Sequence, residues 1–489
     1  MIHLRFPARL IPAIAFSFVA TASTSAQIPA SEYAARREAL AARIDSGVVL
    51  SFGGRTLVHD FGTFFQLPAF QYLTNYKEPD GAFVMVVRNK RPSSFLFITP
   101  LNARTAFYYG QRAAPAASEE LFGIPGRPFA GLSGTLDSVV AAGLPLYTIG
   151  DFEDEDFAHA DTLTRGGAFV KALIAKHPGL VVRDAFPIVA ELRAKKSKAE
   201  IELLRKAAEI SSEGHRAAML TPNPTHEYEL RAALENTFTR LGAERPAYGS
   251  IVGAGINGTQ LHYMKDTDPV KPGDLVVMDA AAEYQGYAAD VTRTIPASGT
   301  FTEEQKQLYQ LVRDAQAAAE RNSKPGMRAQ IGADSSVIVR ARGLAALGLV
   351  ESIDASFDPP WPVDCAKQAA QCKQTNLWMI HGITHGLGLA VHDPVQSSFG
   401  DRTFKIGDAF VLEPGIYIST RALDVLPDTP KNRAFIAKVR QVVLKYENSG
   451  VRIEDDYVIT EKGLERISTA PREIAEIEAL MRQRQRVQP

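Results

Sequence analysis

The sequence predicts an α+β fold in two domains, a smaller α/β unit followed by a larger unit that carries the reactive groups. Three observations lead there. The chain has 489 residues, more than one ordinary core holds. Its first part alternates apolar, strand-like runs with helical stretches. Its second part sets acidic residues at the ends of apolar strand-like runs, between helices with clear capping signals.

Composition narrows the class. Hydrophobic residues make up 45% and charged residues 22%, as in a globular protein rather than a disordered or fibrous one. The formal net charge is −1 with no long run of one sign. A phosphate backbone demands a basic footprint, so nucleic acid is excluded as the expected partner. At the N-terminus Arg5 and Arg9 precede an apolar stretch from Leu10 to Ala20 and a small-residue exit at Thr24-Ser25-Ala26. This reads as a secretory signal over residues 1–26 and implies a secreted or periplasmic protein, with no stable membrane anchor after cleavage. The stretch falls short of the roughly 20 residues that cross a bilayer. An ordinary first helix or an uncleaved anchor is the other reading.

Residues 27–185 form the expected first domain. Ala82–Val87 and Ser94–Ile98 read as buried strands joined by the charged turn Arg88–Pro92, and the histidines His59, His159 and His177 are widely scattered. A scaffold or assembly role is the default. The boundary falls near 185–197, where Leu192-Arg193-Ala194-Lys195-Lys196 reads as an exposed basic linker. Ser197-Lys198-Ala199-Glu200 then opens a helix with a capping-box pattern. Residues 186–489 make the second domain, with a further helix from about Thr302 to Asn322. The two cysteines, Cys365 and Cys372, are too few for a cysteine metal site; in an oxidising compartment they would close a short disulfide loop, elsewhere they would stay thiols.

The chemistry starts with two strand-like runs, Leu275–Asp279 and Gly286–Thr294, joined by a turn. A turn centred between Tyr284 and Gln285 places Asp279 directly opposite Asp290, where like charges destabilise a sheet and call for a cation. A bulge at Gly286 would shift that register by one. Next, His381, His385 and His392 fall within Ile380–Asp393, although the chain has only 10 histidines. His381 and His385 have helical zinc spacing, but Gly382, Gly386 and Gly388 argue for a turn or strand presenting separate histidines. Glu413 follows three apolar residues, where an unpaired carboxylate is costly. In Val451-Arg452-Ile453-Glu454 alternation aims Arg452 and Glu454 away from the buried side, or else this is a surface strand. Four carboxylates and one histidine match two divalent cations with a hydroxide between them. The oxygen-rich set suits Mn²⁺, with Zn²⁺ or Co²⁺ as alternatives.

In their order, Leu261-His262-Tyr263, Met278-Asp279-Ala280, Gly286–Pro296, His381–Asp393, Glu413-Pro414-Gly415 and Ile453-Glu454-Asp455-Asp456 resemble the metallopeptidases of pita-bread fold. Within them the chain is most similar to the Xaa-Pro aminopeptidases (aminopeptidase P), with prolidases close behind. Gln66–Val87 resembles their N-terminal domain. The resemblance implies a pita-bread catalytic domain behind a creatinase-like α/β domain, and cleavage of proline-containing peptides after the first residue. It implies that Asp279, Asp290, His385, Glu413 and Glu454 ligate two metals, Asp290 and Glu454 bridging them, with Glu413 also the general base. His262 and His392 would bind substrate and stabilise the transition state, His381 would line the pocket, and Arg452 would steady the site from behind, with Tyr417 nearby. A homodimer or homotetramer is implied as well. Two stretches, 357–373 and 419–449, depart from the family pattern and could reshape the pocket entrance. A dipeptide-only prolidase, and a non-catalytic pita-bread binding protein, are the competing functions.

Overall fold

A computed structural model describes residues 27–56, 63–100, 102–150, 164–393 and 402–486. The expected signal segment, residues 1–26, lies outside the described residues, as do His59 and His159. Among the described residues no helix is long and apolar enough to cross a membrane.

The first part is built on a mixed six-stranded sheet. Gly47–Phe52 lies near its middle, antiparallel to Ala82–Arg88 and parallel to Leu146–Thr148; Arg91–Ile98, Gly126–Pro128 and Val182–Asp184 complete it. The strands Ala82–Arg88 and Arg91–Ile98 run longer than expected. Their turn is only Asn89-Lys90, both with positive φ (51° and 61°), so the charged residues Arg88 and Arg91 belong to the ladder. Strand alternation then sorts the apolar residues onto two faces. Val48, Leu50, Val84 and Phe97 pack under the helix Leu132–Ala141. Val49, Phe83, Met85 and Leu96 face the helix Ala30–Ala42 and share a core with Leu203, Leu204 and Ala207 from the second part.

The segment between the two parts is not the solvated linker expected from its charge. Phe186–Ala194 is a helix, and Arg193 and Lys196 have side chains only 1% exposed, both paired with Asp393 (2% exposed; Lys196 Nζ to Oδ2 2.6 Å). A run of cations reads as solvated when its counter-charge stands some 200 positions away in the chain.

The helix Lys198–Leu220 follows with the expected capping box, Ser197 to the Glu200 amide and Glu200 back to the Ser197 amide. The helix Glu303–Asn322 carries another, Thr302 with Gln305. These helices, with Glu227–Arg240 and Pro430–Lys445, enclose short antiparallel strands around one apolar core. The strands form small sheets: Ile251–Ala254, Leu275–Asp279 and Thr292–Pro296 in one; Ala409–Leu412, Asp455–Thr460 and Gly463–Arg466 in another; Gly415–Ile418 with Ser449–Arg452 in a third. Isolated bridges between Thr292 and Glu454 and between Gly386 and Phe410 draw these sheets together, and the acidic groups meet at that seam.

The two divergent stretches interlock. Cys365 and Cys372 are bonded (S–S 1.99 Å). Asp358 accepts a hydrogen bond from Thr429, and the Asp358 amide and carbonyl both bond the Asn432 side chain, which ties the first stretch to the start of the helix in the second. That helix buries Phe435, Val439 and Val443 in the main core.

Candidate metal centre

The hairpin that carries the aspartates turns through Gln285-Gly286, both with positive φ (52° and 86°), the signature of a two-residue type I′ turn. The turn therefore lies one residue later than expected, and no bulge interrupts the pairing. Asp279 stands opposite Thr292, not Asp290. The shift is two residues, and side chains alternate with a period of two, so Asp290 keeps the same face and sits diagonally from Asp279. One hydroxyl spans that diagonal: Tyr248 Oη is 2.6 Å from Asp279 Oδ1 and 2.6 Å from Asp290 Oδ1. A phenol has one proton to donate, so it satisfies one carboxylate at a time.

His385 lies on an extended segment that pairs with the edge of Ala409–Leu412: Val411 N–H donates to His385 O, and Glu413 N–H to Ile383 O. The glycine-rich stretch is thus not helical. His385 Nδ1 is 3.0 Å from the Gly386 carbonyl, which can only accept, so the proton is on Nδ1 and Nε2 presents its lone pair. That lone pair faces Asp290 Oδ2 at 3.5 Å, Glu413 Oε1 at 3.8 Å and Glu454 Oε1 at 4.0 Å. Burial, then the neighbouring His392, lowers the His385 pKa to about 4, so the ring is neutral near pH 7. Ligand atoms of Asp290, His385 and Glu454 all lie within 4.8 Å of one another.

Glu413 ends the strand Ala409–Leu412, and Glu454 sits between Ser449–Arg452 and Asp455–Thr460, where the ladder breaks. Glu454 Oε2 accepts from Thr292 Oγ1 at 2.6 Å, while Oε1, fully buried, has no hydrogen-bond partner. Both Val451 and Ile453, and Arg452 and Glu454, are buried, so this is no surface strand. Burial and then the charge of Asp279 push Asp290 well above the usual carboxylate range; burial and then Asp290 do the same to Glu454. Glu413 goes the other way: burial raises it, but His381, His385 and Arg452 outweigh that and bring it to about 2.

A chain of hydrogen bonds runs round the rim. Arg452 donates Nη2–H to Asp279 Oδ2 (2.6 Å) and Nη1–H to Tyr417 Oη (2.7 Å). Having accepted from Arg452, Tyr417 gives its own proton to His381 Nε2 (2.8 Å), which leaves His381 Nδ1–H for Glu413 Oε2 at 3.3 Å. His392 is exposed, its ring 4.2 Å from that of His385. His262 is exposed on a turn, and among the described residues no hydrogen bond or ion pair joins it to the others. Sequence reasoning missed Tyr248, Thr292 and the anchoring pair Arg193 and Lys196. Tyr248 gives no signal, because neither charge nor periodicity marks it.

A lone pair aimed at three carboxylates, and a buried carboxylate oxygen without a donor, are repulsive unless cations lie among them, so this donor set fits divalent metal. A family model described as metallopeptidase family M24 matches residues 202–461, more than half of the chain. The chain belongs to metallopeptidase family M24. Within this M24 protein, residues 33–143 match the aminopeptidase P N-terminal domain. It is 30% identical over 468 residues to Xaa-Pro aminopeptidase of Escherichia coli (strain K12), covering 93% of this chain and 98% of that protein. Among solved structures it is similar to proline aminopeptidase P II from Yersinia pestis (TM-score 0.76, 30% identity, 93% of this chain and 100% of that one). It is equally similar to aminopeptidase P from E. coli with the inhibitor Pro-Leu (TM-score 0.76, 29% identity, 94% and 100%). The M24 chain therefore has the expected α+β architecture, a pita-bread catalytic fold with an aminopeptidase P-type domain before it.

Proposed function

We propose that this M24 protein is a dinuclear-metal aminopeptidase that hydrolyses the bond between an N-terminal residue and a following proline. The observation that carries the reading is the neutral His385 Nε2 turned into a cluster of buried carboxylates, in a chain related over 93% of its length to a Xaa-Pro aminopeptidase. Asp279, Asp290, His385, Glu413 and Glu454 would hold the two ions. Bound there, the pair supplies an activated water and a Lewis acid for the scissile carbonyl.

The chain's own groups do the rest. Glu413, held at Oε2 by His381, would take a proton from water and return it to the departing prolyl nitrogen. Arg452 fixes Asp279 and, through Tyr417, the tautomer of His381. His392, beside His385, and His262 would bind the peptide. Proline supplies no N–H and restricts the preceding backbone, which is why a dedicated pocket serves it. Within the same reading Mn²⁺ is the working metal, residues 1–26 export the protein to the periplasm or beyond, and the enzyme is a homodimer or homotetramer.

The test is a peptide panel given to chelator-stripped protein with single metals restored. We expect cleavage of Xaa-Pro-Yaa to vanish with the chelator and return best with Mn²⁺. Cleavage of Xaa-Pro dipeptides alone would make the enzyme a prolidase, and no metal-dependent cleavage of either would overturn the reading.

A further inference from the structure

His262 takes no side-chain hydrogen bond from its surroundings among the described residues, so its place is set by the backbone that carries it. That backbone, residues 254–268, leaves the strand Ile251–Ala254, makes a short 3-10 turn at Gly255–Thr259 and returns to the start of the helix Glu227–Arg240. One buried side chain gathers it. Glu227 is 0% exposed and accepts four hydrogen bonds: Ala254 N–H (2.8 Å) and Asn257 Nδ2–H (3.0 Å) on Oε1, and Tyr263 O–H (2.9 Å) and Asp268 N–H (2.9 Å) on Oε2. The four donors bracket His262: two before it, one on the next residue, one after. The Glu227 amide also donates to Asp268 O at 3.1 Å. All lone pairs of the carboxylate are spent on this loop, while the core of its own helix is made separately by Leu230, Leu234 and Phe238.

The loop touches two segments that carry residues of the metal centre. Gly258 presses on Gly450, in the strand that bears Arg452, with no room for a side chain there. Met264, 58% exposed, reaches across Gly249, the neighbour of Tyr248, whose hydroxyl touches Asp279 and Asp290. His262 therefore stands on a frame clamped between the Arg452 strand and the Tyr248 segment.

We propose that Glu227 is a positioning residue for peptide binding: its carboxylate holds the 254–268 frame so that His262 faces the incoming proline-containing peptide. This rests on the reading of His262 as a substrate-binding group. A displacement of about 1 Å in such a group costs up to about 100-fold in rate.

A double-mutant cycle on the metal-loaded enzyme tests it. Glu227→Gln keeps the shape but turns one acceptor into a donor facing donors. We expect it to lower kcat/KM for an Xaa-Pro-Yaa peptide about tenfold while metal content and metal affinity stay at wild-type values. In the His262→Ala background the same change should cost less than twofold, because residues acting through one another are non-additive. An equal loss in both backgrounds, or loss of bound metal, overturns the proposal. If His262→Ala itself leaves kcat/KM unchanged, the assignment of His262 fails and the proposal with it, whatever Glu227→Gln does. Tyr263→Phe removes one of the four donors without touching the carboxylate, and decides the case should Glu227→Gln fail to fold: a smaller loss, again absent without His262, is expected, and an additive loss overturns the proposal.

Discussion

A neutral imidazole has a single N–H, and where it points decides what the other nitrogen can do. In His385 Nδ1–H donates to the Gly386 carbonyl, so the Nε2 lone pair is committed to the carboxylate cluster before any ion arrives. In His381 the assignment comes from further off, from Arg452 through Tyr417. Removing the Tyr417 hydroxyl leaves buried Arg452 Nη1 and half-buried His381 Nε2 without that partner. Tyr417→Phe should therefore lower unfolding stability by about 1–3 kcal/mol, measured by denaturant titration of the metal-free protein. It should also reduce kcat, because His381 no longer has one fixed tautomer to hold Glu413. At this scale the sequence shows ligand types well, since carboxylates on apolar runs and clustered histidines are costly unless used. It does not show Tyr248 or Thr292, whose roles exist only once strands from distant positions meet.

Elements carry the residues into register, and here the observed register differs from the expected one for a definite reason. Hairpin turns with two positive φ values are best signalled by Asn-Gly or Asp-Gly, and this one uses Gln285-Gly286, which has only the glycine. The turn lies one residue later than its residues suggest, which moves the partner of Asp279 by two positions and leaves its face unchanged. A cation is called for either way, because Asp290 stays on the face of Asp279. Gly286 has φ +86°, and a Cβ there would run into the Gln71 side chain. Gly286→Ala should cost about 1–2 kcal/mol of stability. Because Asp290 lies four residues beyond on the same hairpin, metal affinity measured by calorimetric titration should fall with it, and an unchanged affinity would show that the hairpin turn does not govern the centre.

Across the whole molecule, the two-part organisation was legible from length and alternating patterns, while the way the parts are joined was not. Strand faces follow from period-two patterns, but an ion pair between Lys196 and Asp393 leaves no local trace. The charge balance of the buried centre also sets how the protein responds to pH. His385 and His215, both lowered to about 4 chiefly by burial, and Glu413, lowered to about 2, give stability that is complete above pH 7 and lost on acidification. Asp290, Glu454 and Asp456 are raised, burial being the main cause, so the folded metal-free protein holds protons that the unfolded chain has released. Their contribution is full below the ordinary carboxylate range and is lost as pH rises through the raised values. As pH rises above the ordinary carboxylate range the stripped protein should lose the part of its Tm that these three groups contribute, and the Tm gained on adding Mn²⁺ should widen in step, as ions replace protons. A gain that does not change with pH would contradict this. The pairing of Arg193 and Lys196 with Asp393 has a last consequence, for synthesis. At about 5–20 residues per second, the ribosome needs roughly 10–40 s to deliver Asp393 after Arg193 has emerged. For that interval Arg193 and Lys196 lack Asp393, so the junction between the parts takes its final form only when a residue beside the histidine cluster arrives.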